Sequence, residues 1–304
     1  MESYSNTTTG GLASLREAWC LYHRQTSGTV ERVDGYLRRL EYFRQQVRNL
    51  FDYEIRDRNV LDIGPGQFLI QMYYFSQCNR VVGIDCDVIA QGFDVRSYAT
   101  MLKTNGLRRT AKTIIRKMLG VDRCHRLELT RRLGVLTLPR LPVLQMDACQ
   151  MDFPDESFDV IYCNSVFHHL PQPETALNAI SRTLKPGGVA YISLHLYTSE
   201  NGNLDPRVFD PTQYLPSWAH LRHDLALGIQ SNAFLNKMCL HEWREIFLRA
   251  LPESHLMLIP SRKPGISELA RELQANGVLA GYSLEELTTH ELVVFWQKPL
   301  LASR

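Results

Sequence analysis

The stretch Val60-Leu61-Asp62-Ile63-Gly64-Pro65-Gly66-Gln67-Phe68 constrains this chain more than any other. A short apolar run ends in a Gly-x-Gly turn that opens onto a helical pattern, the layout of a buried strand feeding a helix. Glycines there let the backbone adopt dihedrals closed to other residues and approach a ligand closely. Further short runs rich in β-branched residues lie at Arg80–Ile84, Val143–Met146, Phe158–Cys163 and Val189–Leu194. Helical patterns separate several of them. The clearest is Pro173–Leu184, which Lys185-Pro186-Gly187-Gly188 is expected to stop. Strands alternating with helices imply βαβ units and a parallel sheet.

Both ends of the chain read differently. Residues 12–25 have a helical pattern, and after Ser27-Gly28 a second helix is expected, capped by Thr29 with Glu31 in its first turn. Its apolar face carries Val33, Leu37, Leu40, Phe43, Val47 and Leu50. Near the other end, strands at His255–Ile259 and Glu291–Gln297 flank a helix at Ile266–Asn276 and a short helix opened by the capping-box pair Ser283 and Glu286. The expected organisation is an N-terminal helical cap over residues 1–54, an α/β domain over 55–299 and a tail at 300–304. Two stretches exceed a minimal alternation: a basic helical insertion at 93–143 and a lid at 196–239.

Composition narrows the classes. With 34 basic against 32 acidic residues the net charge is only +2, which argues against a nucleic-acid coat protein or an acidic disordered chain. No window approaches the apolar length of a membrane span, and the polar start Met1–Asn6 lacks the layout of a signal peptide. Seven cysteines, an odd number without a Cys-x-x-Cys pair, suit buried thiols in a reducing compartment. The expectation is a cytoplasmic protein with no metal site.

The first-strand turn resembles a dinucleotide fingerprint but departs from it. Leu69 stands where the third glycine would be, and Asp62 precedes the turn, where a carboxylate repels pyrophosphate and attracts a cation. A second strand end, Val81-Val82-Gly83-Ile84-Asp85, places a carboxylate where it can accept ribose hydroxyls, and Gln145-Met146-Asp147-Ala148 makes a third acidic tip.

At these residues the sequence resembles the class I S-adenosylmethionine-dependent methyltransferases, the type-11 group in particular. The matching stretches are Asp62–Gly66, Gly83-Ile84-Asp85, Asp147-Ala148, Phe153–Ile161, His168-His169-Leu170 and Leu184–Gly188, in the family's order. The resemblance implies a Rossmann-like, seven-stranded, mostly parallel sheet with an antiparallel final strand, and S-adenosyl-L-methionine as cofactor. It implies that Asp62, Gly64, Pro65 and Gly66 line the methionine and ribose, that Asp85 holds the ribose hydroxyls with Cys86 beside the adenine, that Asp147 and Ala148 meet the adenine edge, and that Asn164 lies beneath the cofactor.

Methyl transfer needs an aligned acceptor, and a hydroxyl acceptor also gains from a general base. His168 and His195 are the candidate bases, although a structural hydrogen-bonding role suits one of the His168-His169 pair equally. Tyr197 and Glu200 follow His195 in a polar cluster. Tyr197, His220 and Arg222 are candidate substrate contacts; the stretch Trp218–His223 also reads as a helix end. From Phe93 to Val143 there are twelve Lys or Arg against three Asp or Glu, a local +9 that leaves −7 elsewhere. That insert is either a solvated face or a contact for an anionic ligand, an anionic membrane surface or RNA. Its two aromatic residues, Phe93 and Tyr98, weigh against base stacking. The leading expectation is methylation of a small-molecule, glycan or lipid-linked acceptor at oxygen. The alternatives are an RNA methyltransferase and a non-catalytic cofactor-binding partner protein.

Overall fold

A computed structural model describes residues 28–209, 214–231 and 233–300. The helical pattern at residues 12–25 lies outside them. The elements in chain order are α1 (Thr29–Phe51), β1 (Asn59–Ile63), α2 (Ile70–Phe75), β2 (Arg80–Asp85), α3 (Val95–Met118), α4 (Val121–Leu133), β3 (Val143–Gln145) and β4 (Phe158–Asn164). Then follow α5 (Pro173–Thr183), β5 (Leu184–His195), α6 (Leu240–Ala250), β6 (His255–Pro260), α7 (Ile266–Ala275), α8 (Leu284–Thr288) and β7 (Thr289–Gln297). The seven strands form one sheet in the order β3-β2-β1-β4-β5-β7-β6. β1 runs parallel to β2 and β4, β2 runs parallel to β3, and β6 and β7 are antiparallel. The fold is the Rossmann-like arrangement the resemblance implied.

The described residues form two compact units. One holds 28–163, 182–190 and 297–300; the other holds 164–181 and 191–296. In the first, Val33, Leu40, Phe43 and Val47 recur at helical spacing on α1 and are wholly buried. Phe43 meets Phe75 of α2 and Tyr162 of β4 edge to face, with ring centroids 5.9 and 5.3 Å apart, so α1 packs against both α2 and β4. In the second unit Trp218, Ile266, Ala270, Leu279 and Leu287 make a separate apolar cluster.

Three local expectations are corrected. Thr29 does not cap α1: Gly28 occupies the cap position, and Thr29 is already helical and buried. The Lys185–Gly188 stretch does not follow a helix ending at Leu184; α5 ends at Thr183 and β5 begins at Leu184. Gly187 and Gly188 exchange backbone hydrogen bonds with Lys298 (2.8 and 2.9 Å), a remote partner that draws the glycines into the strand. The capping box at Ser283 is half formed. Ser283 Oγ accepts from Glu286 N at 3.1 Å, but the Glu286 carboxylate instead accepts from Leu240 N at 2.8 Å and so serves the start of α6.

Candidate active site

Backbone hydrogen bonds lace the carboxyl ends of β1, β2 and β3 together. Gly64 N donates to Ile84 O (2.8 Å), and Met146 N donates to Asp85 O (2.9 Å). These bonds set Asp62, the Gly64-Pro65-Gly66 turn, Asp85-Cys86 and Asp147-Ala148 along one edge. Gly64 and Gly66 have φ of +69° and +66°, the left-handed region that favours glycine. Leu69, at the absent third glycine, is itself left-handed (φ +54°) and caps α2 without a side-chain hydrogen bond.

Asp62 is the most unusual group in this unit. Its carboxyl is wholly buried, and neither oxygen has a hydrogen-bond partner. Burial pushes it well above the carboxylate range; the nearby Gln71 side chain pulls the other way and the Asp85 charge adds to the rise. Opposite Asp62 in the register lies Gly83. A Cβ there would come within 2.7 Å of Met72 Sδ and 3.2 Å of Pro65 Cγ, so the bare backbone is what lets α2 and the turn sit down on the strands.

Asp85 accepts from Asp87 N at 2.9 Å, and burial raises it to about 6. Cys86 rests 3.7 Å from the Asp85 carboxyl, and burial together with the Asp85 charge pushes its thiol up to about 12. Asp87 pairs with Arg109 of α3. Asn105, also on α3, clasps the Val88 backbone with one bond to N and one to O, both 3.0 Å. Asp147 accepts from Cys149 N at 2.8 Å in a local turn, with Ala148 buried beside it. A shallow cleft lies among Gln67, Phe68, Leu69, Lys117, Asp122 and Arg126.

The other unit holds the remaining predicted residues. Asn164 Oδ1 accepts from Ser193 Oγ at 2.8 Å. His168 is buried, and its Nδ1 accepts from His195 N at 3.3 Å, which places any ring proton on Nε2. Burial holds His168 well below the usual imidazole range, with His169 and His195 adding to the effect. His169 Nδ1 donates to Phe234 O, 2.8 Å away, and burial lowers it to about 4. The imidazoles of His168, His195 and His290 follow one another at 5.4 and 4.9 Å between centroids.

Beyond β5 the chain buries polar groups without satisfying them. Thr198, Glu200, Asn203 and His220 are buried, and Thr198 Oγ1, Glu200 Oε2, both Asn203 amide atoms, His220 Nδ1, Trp218 Nε1 and Arg222 Nε lack hydrogen-bond partners. His220 Nε2 is held 2.6 Å from Tyr197 O, and the two rings meet edge to face at 4.8 Å. Arg222 pairs with Asp224 at 3.3 Å. Thr198, Asn203, Gln71 and Asn105 were not singled out from sequence. A lone amide in an apolar helix start, as in Phe68–Met72, was the available signal for Gln71.

Parallel strand order, the glycine turn and the aligned strand-tip carboxylates define a Rossmann-like domain with the layout of a nucleoside-cofactor site. The family model described as "Methyltransferase domain" matches residues 97–192, from α3 into β5. The chain is 33% identical over 101 residues to a sterol 24-C-methyltransferase of Gibberella zeae, covering 33% of this chain and 23% of that protein. It is 33% identical over 79 residues to a phosphatidylethanolamine N-methyltransferase of Cereibacter sphaeroides, covering 25% of this chain and 39% of that one. The likeness therefore spans well under half the length of either relative. Among solved structures, a phosphoethanolamine N-methyltransferase of Haemonchus contortus in complex with S-adenosyl-L-methionine has a TM-score of 0.45 at 15% identity, over 85% of this chain and 52% of that one.

Proposed function

We propose that this chain transfers a methyl group from S-adenosyl-L-methionine to a small-molecule, carbohydrate- or lipid-linked acceptor, at an oxygen. The observation that carries the reading is the Asp62 carboxyl. A wholly buried, unpartnered acid beside a Gly-Pro-Gly turn is costly by about 1–3 kcal/mol in the empty protein, and a cationic ligand would relieve that cost. S-adenosylmethionine carries such charge, and when bound it supplies an electrophilic methyl on a sulfonium.

In this reading Asp62, Gly64, Pro65 and Gly66 hold the methionine and ribose part. Asp85 accepts the ribose hydroxyls, Cys86, Asp147 and Ala148 border the adenine, and Asn164 lies beneath. His195 takes the acceptor proton; the His168 ring, kept neutral by burial, fixes the His195 backbone through Nδ1. Tyr197, His220 and Arg222 contact the acceptor, and the unsatisfied polar atoms of Thr198, Asn203 and Trp218 support a polar ligand along that segment. The names of the two relatives, one for a sterol and one for a phospholipid, support a lipid-class acceptor. The expected location is the cytoplasm.

The test is transfer of labelled methyl from S-adenosylmethionine into a host extract separated into small molecules, lipids and glycolipids, RNA and protein, with Asp85→Ala as control. Label in the small-molecule or lipid fraction, lost in the variant, is expected. Nuclease-sensitive label would replace the reading with RNA methylation.

A further inference from the structure

The helix α3 is built inside out. It carries seven Lys or Arg and no Asp or Glu. Its buried residues are Met101, Asn105, Thr110 and Thr113, three of them polar. Asn105 is held by the Val88 backbone, Thr110 Oγ1 donates within the helix to Gly106 O at 2.9 Å, and Met101 supplies the one apolar side chain among these four buried residues. The outward side carries an apolar stripe. After the kink at Gly106 (φ +80°), Leu107, Ala111, Ile115 and Met118 recur at the spacing of one helix face. Leu107, Ile115 and Met118 are 72%, 54% and 75% exposed. Before the kink Val95, Ala99 and Leu102 make a stripe of their own, and Phe93 stands exposed just ahead of the helix. Exposed cations run along one border of each stripe: Arg96 and Lys103 before the kink, Arg108 and Lys112 after it. Arg96, Lys103 and Lys112 have no ion-pair partner among the described residues.

An apolar stripe bordered by cations is the polarity of a helix lying in a bilayer surface, aliphatic side chains in the acyl boundary and cations at the headgroups. We infer that α3 docks this protein on an anionic lipid surface. Charge decides among occupants. A second copy of the chain would set two all-cationic helices against each other. Nucleic acid would satisfy the cations but leave the aliphatic stripe without apolar cover, and Phe93 and Tyr98 are the only aromatic residues in 93–143. Only an anionic, apolar-cored surface satisfies both features. The inference does not depend on which acceptor is methylated.

The experiment is co-sedimentation of the full chain with vesicles of phosphatidylcholine alone and of phosphatidylcholine with roughly one third phosphatidylglycerol. Binding to the mixed vesicles is expected, weakened by salt, with little to phosphatidylcholine. The double variants Ile115→Ser/Met118→Ser and Lys103→Gln/Lys112→Gln should each weaken it by on the order of tenfold or more. Their melting temperatures should stay unchanged, since all four side chains are exposed. Failure to bind mixed vesicles, or binding untouched by both variants, would overturn the inference. So would a lipid-free dimer in solution that Ile115→Ser/Met118→Ser dissociates, because the stripe would then belong to a second copy.

Discussion

Asp62 is a buried and Asp85 a half-buried acid, both raised chiefly by burial, and they respond differently to substitution. Asp62→Asn removes a buried acid that has no partner, so the empty chain should melt no lower than wild type while affinity for S-adenosylhomocysteine falls by about tenfold or more, as loss of one charge-assisted contact implies. Calorimetry of binding beside thermal melts separates the two effects. For Asp85 the sign follows from its rise from 3.8 to about 6. The folded form takes up a proton before the unfolded one does, so this group's contribution to stability is present below about pH 4 and is lost as pH rises through 6. Ribose hydroxyls require the carboxylate, so cofactor affinity should move the opposite way, falling by about tenfold from pH 7 to pH 5. Affinity that is flat over that range would remove Asp85 from the site. If His195 is the base, His195→Ala should lower kcat by roughly 10²–10⁴-fold with cofactor affinity unchanged. At this scale the sequence was informative where chemistry and a backbone constraint coincide, as in Asp62-Ile63-Gly64-Pro65-Gly66. It was silent on Asn105 and Gln71, because an amide's partners are chosen by tertiary approach and leave no spacing to read.

Among the elements, strands were legible almost to the residue, because a short β-branched run between turns has few other uses: β1 is Asn59–Ile63 as read, and β2 and β4 each extend one residue further. Termini failed where a distant backbone decided. Lys298 captures Gly187 and Gly188 for β5, and Leu240 captures the Glu286 carboxylate. The segment after β5 carries a sharper constraint than its sequence suggested. A Cβ on Gly202 would stand 2.1 Å from Tyr197 O and 2.3 Å from Leu196 O, backbone atoms that cannot turn aside. Gly202→Ala should therefore destabilise by about 1–3 kcal/mol or more and disturb the placement of Tyr197 and His220. A depressed melting temperature with weakened turnover would show it. An alanine variant that melts and turns over like wild type would mean the turn is loosely held.

For the whole molecule, a seven-stranded, mostly parallel sheet with an antiparallel end came from ordered motifs and not from periodicity, which cannot rank strands in a sheet; the order β3-β2-β1-β4-β5-β7-β6 is read from the structure alone. The basic insertion was legible as charge but not as polarity. Only burial along α3 reveals that Asn105, Thr110 and Thr113 face in beside Met101 while Leu107, Ile115 and Met118 face out. A chain of net charge +2 thus carries a local +9 over residues 93–143 while the strand tips of the same unit gather carboxylates, an arrangement suited to a cationic cofactor and an anionic surface. The most direct test of the central claim is titration of S-adenosylhomocysteine into the full chain, its Asp62→Asn form and its Asp85→Ala form, with melting temperatures measured in parallel. The account predicts saturable one-to-one binding by the wild type, weakened about tenfold or more in each variant without loss of fold. No binding by the wild type, or equal affinity in all three stable proteins, would contradict it.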